Sequence, residues 1–514
     1  MKKTLSMVAL CIAAMFTANA QIVRTTVTQG EIEGEEHDGY TLFKAIPYAE
    51  APVGNLRWKK PVAKAPWQGV YKAERWGNRP WQTTDPNQGG GEIPMSEDCL
   101  YLGIQTPAKS TAERLPVFVN IHGGGFSTGS YSGTQDSFIK EGIVYVSIEY
   151  RLGALGFMAH PELTKESPEG ISGNYGIYDQ IMALNWIHDN IAAFGGDPEK
   201  VTICGESAGG ISVAILCASP LCKGLFRAAI SESGSSHTPV SDLGQRVAGN
   251  NKTVAAAEVL GSEFQKKFAK VKNLKQLRKV SAEEIIKNTG FAQFWPVVDG
   301  VAIIDDQYRQ YEEGNYNDVP VIVGYNSDEG SLFMQGGNLA MYNGMVGAQF
   351  SEFADKLKAA YPATTDQEAN WALQDLMRDT MFGWGTWAWA NLQAKTGKNN
   401  VYFYYFDQHS QNSLLKDCRG ATHVAEMPFI YGWNWGPMTK SEEHMAQILP
   451  QYWINFIKNC DPNADGLPYW STYKPGEASV MYMKEGFHLT TDPNAKQMEV
   501  LEEAMKAVRE MNKK

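Results

Sequence analysis

The pentapeptide Gly205-Glu-Ser207-Ala-Gly209 constrains this chain more than any other feature. A short apolar run at residues 201–204 leads into it, and a pattern of small and apolar residues at 208–217 leaves it at once. A strand that turns directly into a helix around a serine holds the hydroxyl out at the tip of the turn. The two backbones then come so close that the positions two before and two after the serine must be nearly free of side chain. The pentapeptide alone is a weak signal. With a strand before it and a helix after it, the pattern predicts a nucleophile at Ser207 rather than a plain turn serine.

The same alternation runs through the rest of the chain. Residues 116–121, 143–148, 201–204 and 228–231 are mostly apolar, as strands covered on both faces must be, and 321–324 and 401–406 continue the series. Between them, Ile181, Leu184, Ile187, His188 and Ile191 fall at helical spacing over residues 178–193, before a stop at Gly195-Gly196. This predicts an α/β fold, a large mostly parallel central sheet flanked by helices. Helical stretches at 251–290 and 366–395, inserted between core strands, predict a helical cap. A closing helix at 499–513 is expected to pack through Val500, Met505, Val508 and Met511.

The first twenty residues read as an address. Lys2 and Lys3 precede an apolar stretch from Leu5 to Phe16, and Ala18-Asn-Ala20 offers small residues for cleavage. The expectation is a signal peptide at 1–20, export to the periplasm or medium, and a single domain over 21–514. No run of about 18 apolar residues follows, so no transmembrane segment is expected. A net charge of −11 without basic clusters argues against nucleic acid as a partner. Beyond Cys11 the cysteines are Cys99, Cys204, Cys217, Cys222, Cys418 and Cys460, too sparse to staple the fold and without zinc spacing.

His122-Gly-Gly-Gly-Phe126 follows the strand at 116–121. Consecutive glycines expose backbone N–H groups to a developing oxyanion, and the residue after Ser207 supplies another. His122 lies before the serine and is expected to shape this loop. The base should come later in the chain, after an orienting acid. His409, His423, His444 and His488 are the choices. His444 lies in a helical pattern and His488 in a terminal strand. His409 and His423 both follow the strand at 401–406, and spacing does not separate them.

At this point the chain resembles the type B carboxylesterases, which include cholinesterases and bacterial esterases. Ser96-Glu-Asp-Cys-Leu-Tyr-Leu102, the His122 loop, Tyr150-Arg-Leu-Gly153, Gly173-Asn-Tyr-Gly176, Phe194-Gly-Gly-Asp-Pro198, the Ser207 elbow and Pro296-Val-Val-Asp-Gly300 carry the resemblance. It implies the acid Glu329, in Asn326-Ser-Asp-Glu-Gly-Ser331, and the base His423, in Gly420-Ala-Thr-His-Val-Ala-Glu-Met-Pro-Phe429. It further implies oxyanion donors at Gly124, Gly125 and Ala208, supporting positions at Glu206 and Ser233, and no metal or organic cofactor. Two departures stand out. The cysteine that usually closes a loop onto Cys99 is missing near Pro80 and Trp81, and Gly89 occupies the place of the choline-binding tryptophan.

The implied reaction is hydrolysis of small-molecule carboxylic esters through an acyl-enzyme. Neutral esters, aromatic ones included, are expected over choline esters. Two other readings are a binding or adhesion protein on the same fold, against which the complete triad argues, and an amidase or peptidase using that triad. The dense tryptophans of 383–389 and 432–435 are expected to pack the cap rather than to line the pocket. Oligomeric state has no sequence signature here.

Overall fold

The computed structural model describes residues 21–83, 93–131, 133–238, 247–248, 253–254, 256–349 and 351–512. The leader at 1–20 and the glycines at 89–91 lie outside the described residues.

An 11-stranded sheet organises the chain. In chain order its strands are β1 (Glu35–His37), β2 (Tyr40–Pro47), β3 (Tyr101–Thr106), β4 (Leu115–Ile121), β5 (Val144–Ile148), β6 (Gly196–Glu206), β7 (Ala228–Glu232), β8 (Val321–Asn326), β9 (Val401–Phe406), β10 (Val480–Met483) and β11 (Phe487–Thr490). They lie side by side as β11-β10-β9-β8-β7-β6-β4-β5-β3-β2-β1. Strands β4 through β10 pair in parallel, while β1, β2, β3 and β11 join antiparallel at the margins. All six strands read from the sequence are present in the parallel part. Of the antiparallel margins, only the terminal β11 was legible in the sequence.

Alternation along each strand divides two cores. Val117, Val119 and Ile121 of β4 enter one apolar cluster, and Phe118 enters the other. Val401, Phe403 and Tyr405 of β9 face the first side, and Tyr402, Tyr404 and Phe406 the second. A sheet apolar on both faces must be covered on both. Helices α1 (Tyr175–Asn190), α2 (Ala208–Ala218), α3 (Gln307–Glu312), α4 (Asp366–Arg378), α5 (Trp384–Thr396) and α7 (Ala495–Asn512) contribute to the first layer. Helix α6 (Lys440–Asn459) covers the second, with Tyr452, Trp453 and Phe456 against the sheet.

Three details differ from the sequence reading. The helical stretch expected at 251–290 takes the form of three short helices, Ala257–Lys266, Leu274–Leu277 and Ala282–Lys287. A π turn at Asp379–Gly383 interrupts the expected helix at 366–395. Helix α7 begins earlier and packs through Met498, Leu501, Ala504, Met505 and Val508, with Val500 only partly buried. Met511, expected on that face, is 58 % exposed because the helix has by then run past the core.

Candidate active site

Strand β6 ends at Glu206 and α2 starts at Ala208, so Ser207 is the whole turn between them. Its φ of 56° and ψ of −122° lie where only glycine is normally comfortable. The conformation is held by bonds on both sides. Ser207 N–H donates to Glu232 O at 2.8 Å, and Ile211 N–H donates to Ser207 O at 2.9 Å. A Cβ on Gly209 would stand 2.1 Å from Ile121 O, and one on Gly205 would stand 2.4 Å from the Gly209 carbonyl carbon. The two glycines are therefore the cost of bringing α2 onto the ends of β4 and β6.

The loop after β4 is fixed from behind. His122 Nε2 lies 2.8 Å from Glu149 Oε1, its ring stacks on Tyr150 at 4.3 Å, and Tyr150 OH donates to His122 O at 2.7 Å. Glu149 is fully buried and also accepts from Ser130 Oγ and Tyr131 N–H. His122 thus has the loop-shaping position expected of it. Gly124 and Gly125 have φ of 99° and 59°, and a Cβ on Gly124 would meet Thr128 O at 2.3 Å. Ala208 is the first residue of α2, where a backbone N–H has no acceptor within the helix. Both glycines line one cavity with Ser207.

The other two triad positions arrive on the loops after β8 and β9, which are sewn together. Asp328 N–H donates to Ala421 O at 2.8 Å, Ala421 N–H to Ser327 Oγ at 2.9 Å, and Arg419 N–H to Asp328 Oδ2 at 2.7 Å. Asn326 Nδ2 donates to Thr422 O at 2.9 Å. This register brings His423 Nδ1 to 2.5 Å from Glu329 Oε2, while Glu329 Oε1 accepts from Asn326 N–H at 2.8 Å. With Nδ1–H donated to the carboxylate, Nε2 is the nitrogen left to take up or release a proton. His409 is exposed, with its Nε2 3.5 Å from Cys418 Sγ, and His444 and His488 are on the surface. Of these four, His423 is the one that both touches Glu329 and lines the cavity with Ser207.

Carboxylates crowd this histidine. Glu206 Oε1 lies 3.2 Å from His423 Nε2. Burial opposes the imidazolium, but Glu206 and Glu329 outweigh it and raise the His423 pKa to about 9. Burial pushes Glu206 up to about 8 against the pull of His423. Burial and the charges of Glu329, Glu206 and Glu232 push the Glu426 carboxyl well above the usual carboxylate range. It accepts from Asn326 Nδ2 at 2.5 Å and, more weakly, from Ser233 Oγ at 3.4 Å. Glu206 therefore touches the histidine directly, whereas Ser233 reaches only Glu426. Glu426 ties Ser233 to Asn326, whose own N–H is held by Glu329.

The cavity measures about 1090 Å³. Its aromatic lining is Phe291, Trp295, Phe333 and Phe382, with Phe382 stacked on the His423 ring at 4.6 Å and Phe333 at 5.1 Å. Phe382 reaches the histidine because the π turn carries it there, a placement that no periodicity in the sequence announces. The tryptophan-rich segments pack instead. Trp384 and Trp389 are fully buried, and Trp433 is exposed outside the cavity lining. Trp81 lines a separate small recess with Cys99 and Pro80. The six cysteines among the described residues are free thiols, with Cys99, Cys204, Cys217 and Cys222 buried.

A strained serine elbow, a glycine loop and a histidine–carboxylate pair on one cavity define a serine hydrolase of the α/β-hydrolase fold. The chain belongs to the carboxylesterase family, whose model matches residues 19–501. It is 31 % identical to the fumonisin B1 esterase of Sphingopyxis macrogoltabida, over 89 % of this chain and 86 % of that one. It is 34 % identical to the acylcarnitine hydrolase of Mus musculus, over 88 % and 85 % of the two chains. Against the para-nitrobenzyl esterase of Bacillus subtilis (strain 168) the identity is 30 %, over 93 % and 98 %. A solved structure of a PNB esterase superposes with a TM-score of 0.79 at 28 % identity, covering 93 % of this chain and 99 % of that one. The protein is a carboxylic ester hydrolase, and its fold is that of the family. Among the described residues no helix is long and apolar enough to cross a membrane.

Proposed function

We propose that Ser207 is the nucleophile, His423 the general base and acid, and Glu329 the carboxylate that orients it. The 2.5 Å contact between His423 Nδ1 and Glu329, beside a cavity that Ser207 also lines, is the observation that carries this reading. His423 Nε2 takes the Ser207 proton as Oγ attacks the ester carbonyl. The N–H groups of Gly124, Gly125 and Ala208 hold the oxyanion, and His423 returns the proton to the departing alcohol. Water attacks the acyl-enzyme by the reverse transfer. Glu206 and Ser233 support the histidine electrostatically.

The substrates on this reading are neutral esters, with aromatic groups accepted. Phe291, Trp295, Phe333 and Phe382 favour planar apolar groups, and Glu206, the carboxylate nearest the serine, already faces His423. Export rests on the leader at 1–20, and we place the mature enzyme, one domain from residue 21, in the periplasm or medium. The test of substrate class is kcat/KM for butyrylthiocholine against a neutral thioester of equal length. The neutral ester should be turned over at least as well. A tenfold preference for the cation, about 1.4 kcal/mol, would overturn the neutral-ester reading.

A further inference from the structure

The cavity extends beyond the reacting centre. Ile211 and Ile215, one and two turns into α2, line it together with Ile303. At 1.5 Å per residue, Ile215 stands about 12 Å from Ser207 along the helix axis. Isoleucines alone would make this arm a slot for a plain alkyl or aryl chain. Yet Ser236 and Gln307 line the same cavity. Gln307 opens α3, and Gln310, one turn on, donates Nε2 to Ala218 O at 3.1 Å. Helix α3 therefore meets α2 at its far end, beyond Ile215, and Gln307 lies at the deep end of the arm.

Each of these side chains carries an oxygen without a partner. Gln307 is 3 % exposed and Ser236 5 % exposed, and neither Gln307 Oε1 nor Ser236 Oγ has a hydrogen-bond partner among the described residues. A buried amide without a partner destabilises the fold, and a leucine of similar size would avoid that loss. The cation beside α3 is matched, with Arg509 Nε 3.1 Å from Asp306 Oδ1. Ser235 Oγ is 2.9 Å from His237 Nδ1, and His237 Nε2 adds a third buried polar atom without a partner among the described residues. What is left over is neutral capacity to accept and donate.

We propose that this arm is a recognition site for a neutral hydroxyl at the far end of the ester, donated to Gln307 Oε1 and exchanged with Ser236 Oγ. The proposal rests on the triad reading above, because it places the ester carbonyl at Ser207. A site built to bond a hydroxyl rejects the analogue that lacks it, since its own polar groups are then left unpaired.

The test uses two matched pairs on the full enzyme. One is p-nitrophenyl hexanoate against its ω-hydroxy analogue, and the other is hexyl acetate against ω-hydroxyhexyl acetate. The hydroxylated ester should be favoured about tenfold in kcat/KM in one pair, equivalent to about 1.4 kcal/mol. Gln307→Leu should abolish that preference while keeping or raising Tm, and Ser236→Ala should reduce it. Hydrolysis of hexanoate with no hydroxyl preference in either pair would overturn this site alone. So would a preference that survives both substitutions. No hydrolysis of any of the four esters would bring down the triad reading and this one with it.

Discussion

The active site has two halves built by different physics. The half around Ser207 is a steric device. Gly205, Gly209 and Gly124 leave no room for a Cβ, and the neighbours they would strike are backbone atoms that cannot step aside. The half around His423 is an electrostatic device. Its loops are joined by Asn326, Ser327, Asp328 and Arg419, and its histidine sits among Glu206, Glu329 and Glu426. The first half is local in the chain and written in glycines. The second is assembled across about a hundred residues by side chains that have meaning only once the strands are in register. A change at the glycines of the first should act on folding, and a change in the second on chemistry.

The largest effect expected is at Gly209. Gly209→Ala puts a Cβ 2.1 Å from Ile121 O, so α2 cannot seat on the sheet, and folded protein should fail to accumulate in expression and circular dichroism. Normal yield and a native Tm would mean that the elbow is looser than described. His423→Ala should instead give folded protein with kcat reduced on the order of 10⁶-fold, because triad members act as a unit. His409→Ala should lose little, since that side chain is exposed and away from Glu329. If the ranking of the two histidines were reversed, the loop after β9 would have been misread.

A smaller effect separates charge from position. Glu206 holds the imidazolium form of His423, so Glu206→Gln should lower the His423 pKa. The base must be neutral to act, so kcat/KM falls as pH drops through this pKa. The acidic limb in Glu206→Gln should therefore move to lower pH, by about one unit or more for loss of an adjacent carboxylate. A limb that stays in place, or moves upward, contradicts the electrostatic account. The smallest effect is chemical. Cys418 and Cys460, both partly exposed, should be alkylated in the native state, while Cys99, Cys204, Cys217 and Cys222 stay protected until the protein unfolds. Non-reducing peptide mapping should find Cys99 unbridged.

This division explains what could be read in advance. The elbow and the parallel strands were legible because steric exclusion and two-sided burial leave local marks, glycines at fixed offsets and unbroken apolar runs. The choice between His409 and His423 was not settled by spacing, because both follow β9 and only long-range pairing with Asp328 and Asn326 distinguishes them. Resemblance to the family supplied His423, and the Glu329 contact agrees with it. Phe382 was invisible for another reason. A π turn adds a residue to a helix without changing its composition, and that addition turns the side chain onto His423. Glu426 was in plain view but unassigned, since a buried carboxyl looks like any glutamate in a sequence.

The proposed role of Ser207 as nucleophile is open to a covalent test, labelling of the active site. The full-length protein and its Ser207→Ala variant would be treated with an organophosphate, digested, and mapped by peptide mass. One stoichiometric adduct is expected, on the peptide containing Gly205-Glu-Ser-Ala-Gly209, appearing in step with loss of esterase activity and missing from the inactive variant. An adduct on another serine, with Ser207→Ala still hydrolysing esters, would contradict it.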